Sequence, residues 1–192
     1  MASKLQTAPS PVNARVHTIG HSTHSIVELI ELLRAERIDL VVDVRRFPRS
    51  RRHPQFNIET LPATLATAGI GYRHIEALGG RRSRSLAAGA SPNTGWHEGG
   101  FRHYADYAMT APFRDALDAL IGLAMAHTLA IMCAEALWWQ CHRRIITDYL
   151  IVRGIDVVHI APGETKPADL TPGAAPQADG TIHYPPAQPR LL

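Results

Sequence analysis

Two apolar runs constrain the fold of this chain more than any other feature. Residues 40–44 (LVVDV) and 129–133 (LAIMC) contain apolar residues with almost no polar alternation. A strand that is buried on both faces has this pattern, and such strands occur in parallel sheets that are covered by helices on both sides. The sequence therefore predicts a parallel sheet at the centre of the molecule.

Strand-like and helix-like segments alternate five times along the chain. The predicted strands are residues 15–19, 40–44, 71–75, 129–133 and 156–160. The predicted helices are residues 26–36, 61–68, 101–109, 112–126 and 138–153. Ser25 and Glu28 have the spacing of a capping box at the start of the first helix. The alternation predicts an α/β fold, namely a three-layer Rossmann-like sandwich with a mainly parallel five-stranded sheet.

The length of 192 residues fits one domain with additional segments. We expect residues 1–14 to be a disordered leader and residues 15–160 to form a single α/β domain. Residues 162–192 contain seven of the 14 prolines of the chain and no helical or strand period. This composition predicts that residues 161–192 form a proline-rich, largely disordered tail.

Composition excludes several classes of protein. No apolar run approaches the roughly 20 residues that span a membrane, and the N-terminus lacks the apolar core of a secretory signal. The two cysteines are too few for a disulfide scaffold and fit a reducing compartment, so we expect a cytoplasmic protein without membrane contact. The formal charge of +3 and the pI of about 9.1 are compatible with an anionic partner.

Strong polar clusters follow the predicted strands at their carboxyl ends. In open α/β sheets, ligands bind in the crevice beyond these ends. Residues 45–52 hold five arginines within eight positions, and a guanidinium grips phosphate or carboxylate through two parallel hydrogen bonds. The residues that we expect in a phosphate-binding site are His21, Ser22, Asp43, Arg45, Arg49, Arg51 and Arg143.

Each of these residues also has a purely structural interpretation. His21 and Ser22 would offer helix N-terminal N–H groups to an anion, or they would simply form a cap and a turn. Asp43 lies inside a buried run, where it would contact the ligand or pin the arginine-rich segment through an ion pair. The arginines themselves would bind phosphate or form a solvated basic loop.

Three residues near the fourth strand are candidates for catalysis. Glu135 follows the strand and would act as a general base or a nucleophile, or it would pair with an arginine. His142 lies in the first turn of the following helix, where the helix dipole favours the neutral imidazole, but a satisfied core histidine is the alternative. Cys133 would be a reactive thiol or a small buried strand residue.

The same region does not have the pattern of a metal or cofactor site. Structural zinc sites show paired Cys-x₂₋₄-Cys knuckles, and Cys133, Cys141 and His142 do not have this spacing. We therefore predict no metal and no cofactor. A phosphatase loop is excluded because Trp139 stands six residues after Cys133, where that chemistry needs an arginine.

Several motifs, in order along about residues 15–160, resemble those of the domain of unknown function 488 family. They are TIGHSTHS (18–25), DVRRFPRSR (43–51), the PQF of 54–56, GIGYRHIEALGGRR (69–82), YADYAM (104–109), MCAE (132–135) with CHRR (141–144), and VVHI (157–160). The resemblance implies a compact α/β domain and has no established reaction attached to it.

Two functions remain open from the sequence. The first is a hydrolase or group transferase that acts on a phosphate-bearing, nucleotide-like or nucleic-acid-derived substrate at the carboxyl edge of the sheet. The alternative is a non-catalytic module that binds nucleic acid through its arginine-rich loop, with an affinity that falls steeply with salt. An interaction adaptor that uses the proline-rich tail is a third interpretation.

Overall fold

The computed structural model describes residues 14–83 and 90–186, and its centre is a six-stranded sheet. In chain order the strands are β1 (Arg15–Gly20), β2 (Leu40–Asp43), β3 (Gly71–His74), β4 (Leu129–Cys133), β5 (Asp156–Ala161) and β6 (Glu164–Pro167). Across the sheet their order is β3-β2-β4-β1-β5-β6. All neighbouring strands are parallel except β5 and β6, which are antiparallel. The mainly parallel α/β sheet is confirmed, with a sixth strand that was not predicted.

Helices cover both faces of the sheet and make three layers. They are α1 (Ile26–Ala35), α2 (Leu61–Thr67), α3 (Gly99–Ala108), α4 (Ala111–Ala124) and α5 (Arg143–Val152). Leu29 of α1 and Leu65 of α2 pack with Val41 on one face, whereas α3, α4 and α5 pack with Val42 on the other. Neighbouring residues of β2 thus point into two separate cores, which explains why the strand is apolar without alternation.

The start of α1 has the predicted capping box. The Ser25 side chain accepts a hydrogen bond from the Glu28 backbone N–H, and the Glu28 carboxylate accepts one from the Ser25 backbone N–H. The helix predicted over residues 138–153 is interrupted. Trp138–Gln140 form one 3₁₀ turn and α5 begins only at Arg143, because Cys141 has an extended backbone with φ −133° and ψ 152°.

The predicted disorder of the tail is wrong for residues 161–186. This segment adds β6 and a short hairpin of β7 (Ala175–Pro176) and β8 (Ile182–His183). Ile182 and Tyr184 are buried in the core beside α5, and the Tyr184 hydroxyl donates to Asp148 Oδ2 at 2.8 Å. Isolated apolar residues between prolines carry no periodicity, so the sequence pattern gave no sign of this packing. The predicted leader, except Ala14, and residues 187–192 lie outside the described part of the chain.

Strand order determines which loops meet at the carboxyl edge. β4 lies between β1 and β2, so the loops that follow these three strands converge there. One is the arginine loop (residues 45–52), and another is the β4 loop (residues 134–142). Within residues 14–83 and 90–186, no helix has both the length and the apolar character needed to cross a membrane.

Candidate functional site

A cavity of about 740 Å³ opens at the carboxyl ends of β1, β2 and β4. Its wall includes most of the site residues predicted from the sequence, namely His21, Ser22, Arg45, Arg49, Cys133, Glu135 and His142. Asp43, Arg51 and Arg143 are not part of the wall. Arg46 and Arg52 of the predicted arginine-rich segment also belong to the wall. Wall residues that were not predicted include His53, Arg81, Glu98 and Cys141.

Asp43 and Arg45 form a buried ion pair beneath the arginine loop. Arg45 Nη2 donates to Asp43 Oδ2 at 2.6 Å, and Arg45 Nε and backbone N donate to Oδ1 at 2.9 and 3.0 Å. Arg45 Nη2 also donates to the carbonyl of Phe56, and the Tyr72 hydroxyl donates to Asp43. The Arg45 guanidinium is therefore largely occupied, and this pair anchors the loop to the sheet.

His21 completes this anchor on the cavity side. Its Nε2 lies 3.2 Å from Arg45 Nη1, its Nδ1 lies 3.1 Å from the Ser22 carbonyl, and its ring stacks on Phe56. Burial, together with the charge of Arg45, lowers the pKa of His21 to about 4. The ring is neutral at pH 7, with the proton on Nδ1 donated to Ser22 and Nε2 accepting from Arg45.

The loop after β1 has no free N–H groups at His21 and Ser22. Their backbone N–H groups donate to the carbonyls of Cys133 and Ala134 at 2.9 and 3.0 Å. These bonds continue the β1–β4 pairing beyond the strands. The two backbone N–H groups are therefore not free to bind an anion, contrary to the prediction. An anion at this position would contact side chains only.

The outer arginines form a basic wall. Arg46, Arg49, Arg52 and Arg81 all line the cavity, and Arg46 Nη1 donates to the Arg81 carbonyl at 2.7 Å. Arg49 Nη2 pairs with Glu59 Oε1 at 2.6 Å, and both of these side chains are exposed. Arg51 is exposed and lies outside the wall. The arginine loop thus presents several cations to the cavity while Arg45 holds it in place.

Two cysteines lie together in the cavity wall next to the β4 loop. Cys133 Sγ and Cys141 Sγ are 2.8 Å apart, and both residues are buried free thiols. The backbone N–H of Arg143, the first residue of α5, donates to Cys141 Sγ at 3.5 Å. Cys141 therefore lies at the positive end of a ten-residue helix, where a thiolate is favoured.

His142 contacts the same sulfur. Its Nε2 lies 2.9 Å from the carbonyl of Val44, and its Nδ1 lies 3.4 Å from Cys141 Sγ. Because a carbonyl only accepts hydrogen bonds, Nε2 carries the proton and the lone pair of a neutral ring at Nδ1 faces the thiol. Proton transfer from Cys141 to His142 would make a thiolate–imidazolium pair, which is the usual activation of a nucleophilic cysteine.

The surroundings shift the pKa values of the two thiols in opposite directions. Burial raises the pKa of Cys141, but the hydrogen bonds with Cys133 and His142 and the charge of Arg143 outweigh it and place that pKa well below the ordinary value. Burial and the hydrogen bond with Cys141 raise the pKa of Cys133 well above its ordinary value. These opposite shifts favour the proton on Cys133 and the negative charge on Cys141.

Arg143 shapes the β4 loop instead of entering the cavity. Its side chain is 1% exposed, and its Nη2 donates to the carbonyls of Glu135 and Ala136 while Nη1 donates to Thr18 Oγ1. Gly20 allows this close approach, since a Cβ there would collide with the Glu135 carbonyl. The Glu135 side chain is exposed at the rim of the cavity.

Cys141 is the main residue that sequence reasoning left out of the site. The predicted continuous helix over 138–153 placed Cys141 and His142 on diverging faces, whereas the extended backbone at Cys141 turns its sulfur towards Cys133. The polar run CHRR directly ahead of an apolar helical stripe was the available signal. Among the described residues, no three His, Cys, Asp or Glu side chains form a group that could hold a metal.

Comparisons with known proteins give the family of this chain but no relative with a named activity. No curated protein and no solved structure matches it. The family suggested by the sequence motifs is confirmed, and the match covers more than half of the chain. Residues 25–150 match the domain of unknown function DUF488, and the chain belongs to that family.

Proposed function

We propose that this protein is a hydrolase or group transferase that acts on a small phosphate-bearing, nucleotide-like substrate in the cavity at the carboxyl edge of the sheet. The observation that carries the proposal is the position of Cys141, a thiol with a lowered pKa, in the wall of an arginine-lined cavity. Cys141 is 3% exposed, but it lines a cavity with several cations, and activated nucleophiles occur in electropositive sites of this kind.

The basic wall supports binding of an anion. Arg46, Arg49, Arg52 and Arg81 contribute guanidinium groups, and guanidinium binds phosphate with two parallel hydrogen bonds. Arg45 and His21 are not assigned to the phosphate, because the ion pair with Asp43 and the neutral ring of His21 already explain their positions. The proposal therefore moves the phosphate contacts outward along the arginine loop.

A second cavity supports a planar group on the substrate. It has a volume of about 660 Å³ and shares Glu98, Phe101 and Gln140 with the first cavity. Trp96 and Trp139 also line it, and Trp139 is 45% exposed. Aromatic side chains of this kind stack on nucleobases, so a base would occupy the second cavity while its phosphate lies against the arginines.

The chemistry follows from the thiol and its neighbours. In the proposed step, Cys141 Sγ attacks an electrophilic carbon or phosphorus atom, the bond to the leaving group breaks, and His142 Nδ1 gives the leaving group a proton. Water or a second acceptor then displaces the sulfur, and His142 takes back the proton of that acceptor. Glu135, exposed at the rim, orients the acceptor.

Paired alkylation with iodoacetate and iodoacetamide tests the thiolate and the anion site together. The two reagents are similar in size, but only iodoacetate is an anion. The quantity to measure is the rate of alkylation by iodoacetate divided by the rate of alkylation by iodoacetamide. We expect this ratio to be roughly tenfold higher at Cys141 than for a small free thiol, because the arginines attract the anion. Inorganic phosphate should slow both reactions by occupying the cavity. Equal relative rates with no phosphate protection would contradict the proposal.

The arginine loop offers a matched pair of variants for this assay. Arg52→Ala removes a cation from the cavity wall, whereas Arg51→Ala removes an exposed cation outside it. We expect R52A to lose most of the iodoacetate preference and R51A to keep it. Liquid chromatography of nucleoside monophosphates and nucleotide sugars incubated with the protein then tests turnover, which Cys141→Ser should abolish.

The exposed side of the arginine loop favours one alternative, a non-catalytic nucleic-acid-binding module. Phe47 is 60% exposed, Arg46 lies 5.3 Å above its ring, and Arg51 and Arg52 are exposed beside it. Stacking aromatics among cations are typical of single-strand binding surfaces. Binding of an oligonucleotide that weakens steeply with salt, is lost in Phe47→Ala and R51A, and occurs without turnover would support this alternative.

A further inference from the structure

The two thiols in the cavity wall have a second kind of chemistry open to them. Cys133 Sγ and Cys141 Sγ are 2.8 Å apart, although the residues belong to different elements, the end of β4 and the segment before α5. A disulfide needs sulfurs about 2.05 Å apart, so the two sulfurs have to approach each other by roughly a further 0.75 Å. Both residues line the cavity and are only 1% and 3% exposed, so an oxidant that reaches them has to be small enough to enter the cavity.

We propose that Cys141 is a site of oxidation by hydroperoxides and that Cys133 resolves the product into a reversible Cys133–Cys141 disulfide. Cys141 Sγ attacks one peroxide oxygen, so the S–O bond forms, the O–O bond breaks, and the leaving oxygen takes a proton from His142. Cys133 Sγ then attacks the sulfenic sulfur, its own proton leaves with the hydroxyl as water, and the S–S bond forms. An external dithiol reverses the reaction by exchange.

The geometry gives the two sulfurs different parts in this sequence. Cys141 Sγ accepts from the Arg143 N–H at the start of α5 and contacts His142 Nδ1, so it is the sulfur at which a thiolate is favoured. The thiolate is the form that attacks peroxide. Cys133 Sγ contacts Cys141 Sγ and the Glu135 carbonyl, which leaves it as the thiol beside the oxidised sulfur.

The β4 loop connects the two cysteines and has to adjust when the disulfide forms. Between Ala134 and Gln140, all residues except the half-buried Trp138 are exposed. The loop is held by Arg143, by the His159 ring under Trp138 and, at its start, by the Ser22 N–H on the Ala134 carbonyl. The proposal does not depend on the phosphate-bearing substrate. It requires only the sulfur pair and access for a small neutral oxidant.

Peptide mass analysis after hydrogen peroxide treatment tests the proposal on the wild-type protein. Glu135 lies between the two cysteines, so cleavage after Glu135 separates them unless a disulfide joins the fragments. After treatment and capping of remaining thiols under denaturing conditions, we expect both thiols to be lost and the two fragments to stay joined. Dithiothreitol should restore both thiols. Fragments that separate after treatment would overturn the proposal.

Two variants assign the order of events. Cys133→Ser keeps the attacking sulfur and should accumulate a sulfenic acid on Cys141 that dimedone traps. Cys141→Ser keeps only the resolving sulfur, and Cys133 should then react at least tenfold more slowly than Cys141 does in the wild type. Equal rates in the two variants would contradict the assignment, and the wild-type fragments decide the proposal if either variant fails to fold.

The same sample separates this inference from the proposed function. If the disulfide forms but phosphate neither protects Cys141 nor changes alkylation, the oxidation site stands and the anionic substrate does not. If phosphate protects Cys141 but the fragments never join, the proposed function stands and the oxidation site falls.

Discussion

The arginine loop and the β4 loop reach the same cavity, but they are fixed in opposite ways. The arginine loop is held by a buried ion pair, in which the Asp43 carboxylate accepts three hydrogen bonds from Arg45 side-chain nitrogens and a fourth from its backbone. The β4 loop is held by a buried guanidinium that donates to backbone carbonyls. In the first loop the residues nearest the sheet are structural and the outer ones face the cavity, whereas the second loop begins and ends beside two buried thiols, Cys133 and Cys141.

This difference shows that the number of arginines in a loop does not determine which of them bind a ligand. Arg45 has the fewest free donors because it has a carboxylate partner, while Arg52 and Arg46 face the cavity. The cation that holds the β4 loop, Arg143 of α5, lies near the Cys141 thiol instead of a carboxylate. Its charge therefore affects the acidity of Cys141 as well as the shape of the loop.

The largest expected effect is the loss of the anchor of the arginine loop. Asp43→Ala leaves the Arg45 guanidinium buried without its carboxylate, which should lower the free energy of unfolding by about 3–5 kcal/mol. Urea denaturation measures this change. The double variant Asp43→Ala/Arg45→Met removes both charges and should recover much of the loss. If Asp43→Ala costs no more than an exposed ion pair, the buried pair does not anchor the loop.

Acid should loosen both loops over the same pH range. Burial lowers the pKa of His21 beside the arginine loop, and of His159 beneath Trp138 and the β4 loop, from 6.5 to about 4. The unfolded chain then binds more protons than the folded chain between pH 6.5 and 4, so the free energy of unfolding falls as the pH falls through this window. If the pKa of each histidine changes from 6.5 to about 4 on folding, each lowers the free energy of unfolding by about 3 kcal/mol once the pH is below 4.

Stability measured by urea denaturation at intervals from pH 7 to pH 4 tests this dependence. His21→Asn and His159→Gln should each flatten the slope between pH 6.5 and 4, whatever they do to stability at pH 7. A wild-type stability that does not change across this range would mean that the two rings are not buried in their neutral form. If only one variant flattens the slope, only that histidine causes the pH dependence, and acid acts on one loop and not on the other.

Arg143→Met tests the coupling between the β4 loop and its thiols. The variant keeps most of the side-chain volume but removes a positive charge that lowers the pKa of Cys141. We expect the midpoint of the pH dependence of Cys141 alkylation to rise by about one pH unit. Arg144→Met is the matched control, because Arg144 donates to Thr171 and lies over the Trp96 ring instead of contacting the thiols. Equal midpoints for both variants would contradict this role.

The fold could be predicted from the sequence because local patterns of apolar residues determine its strands and helices. The site could be predicted only in part. Buried runs without alternation identified β2 and β4, and the rule on strand ends placed most of the polar residues at one cavity. The pairing of Cys133 with Cys141 depends on one extended residue inside a helix-like pattern, which periodicity does not register. The packing of Ile182 and Tyr184 depends on contacts with α5 across the chain, for which no local signal exists.

The smallest expected effect comes from the outer side of the arginine loop. Arg49 and Glu59 form an ion pair at 2.6 Å in which both side chains are exposed, so Glu59→Gln should change the free energy of unfolding by less than about 0.5 kcal/mol. The same substitution frees a guanidinium in the cavity wall and should strengthen the binding of inorganic phosphate about twofold in a calorimetric titration.

Glu164→Gln breaks a comparable exposed ion pair with Lys166 on β6, at the other side of the sheet, and should leave phosphate binding unchanged. Exposed ion pairs rarely contribute more than about 1 kcal/mol to stability. A larger loss in Glu59→Gln would therefore mean that the Arg49–Glu59 pair also anchors the arginine loop. In that case the division of the arginine loop into an inner structural residue and outer cavity-facing residues would no longer hold.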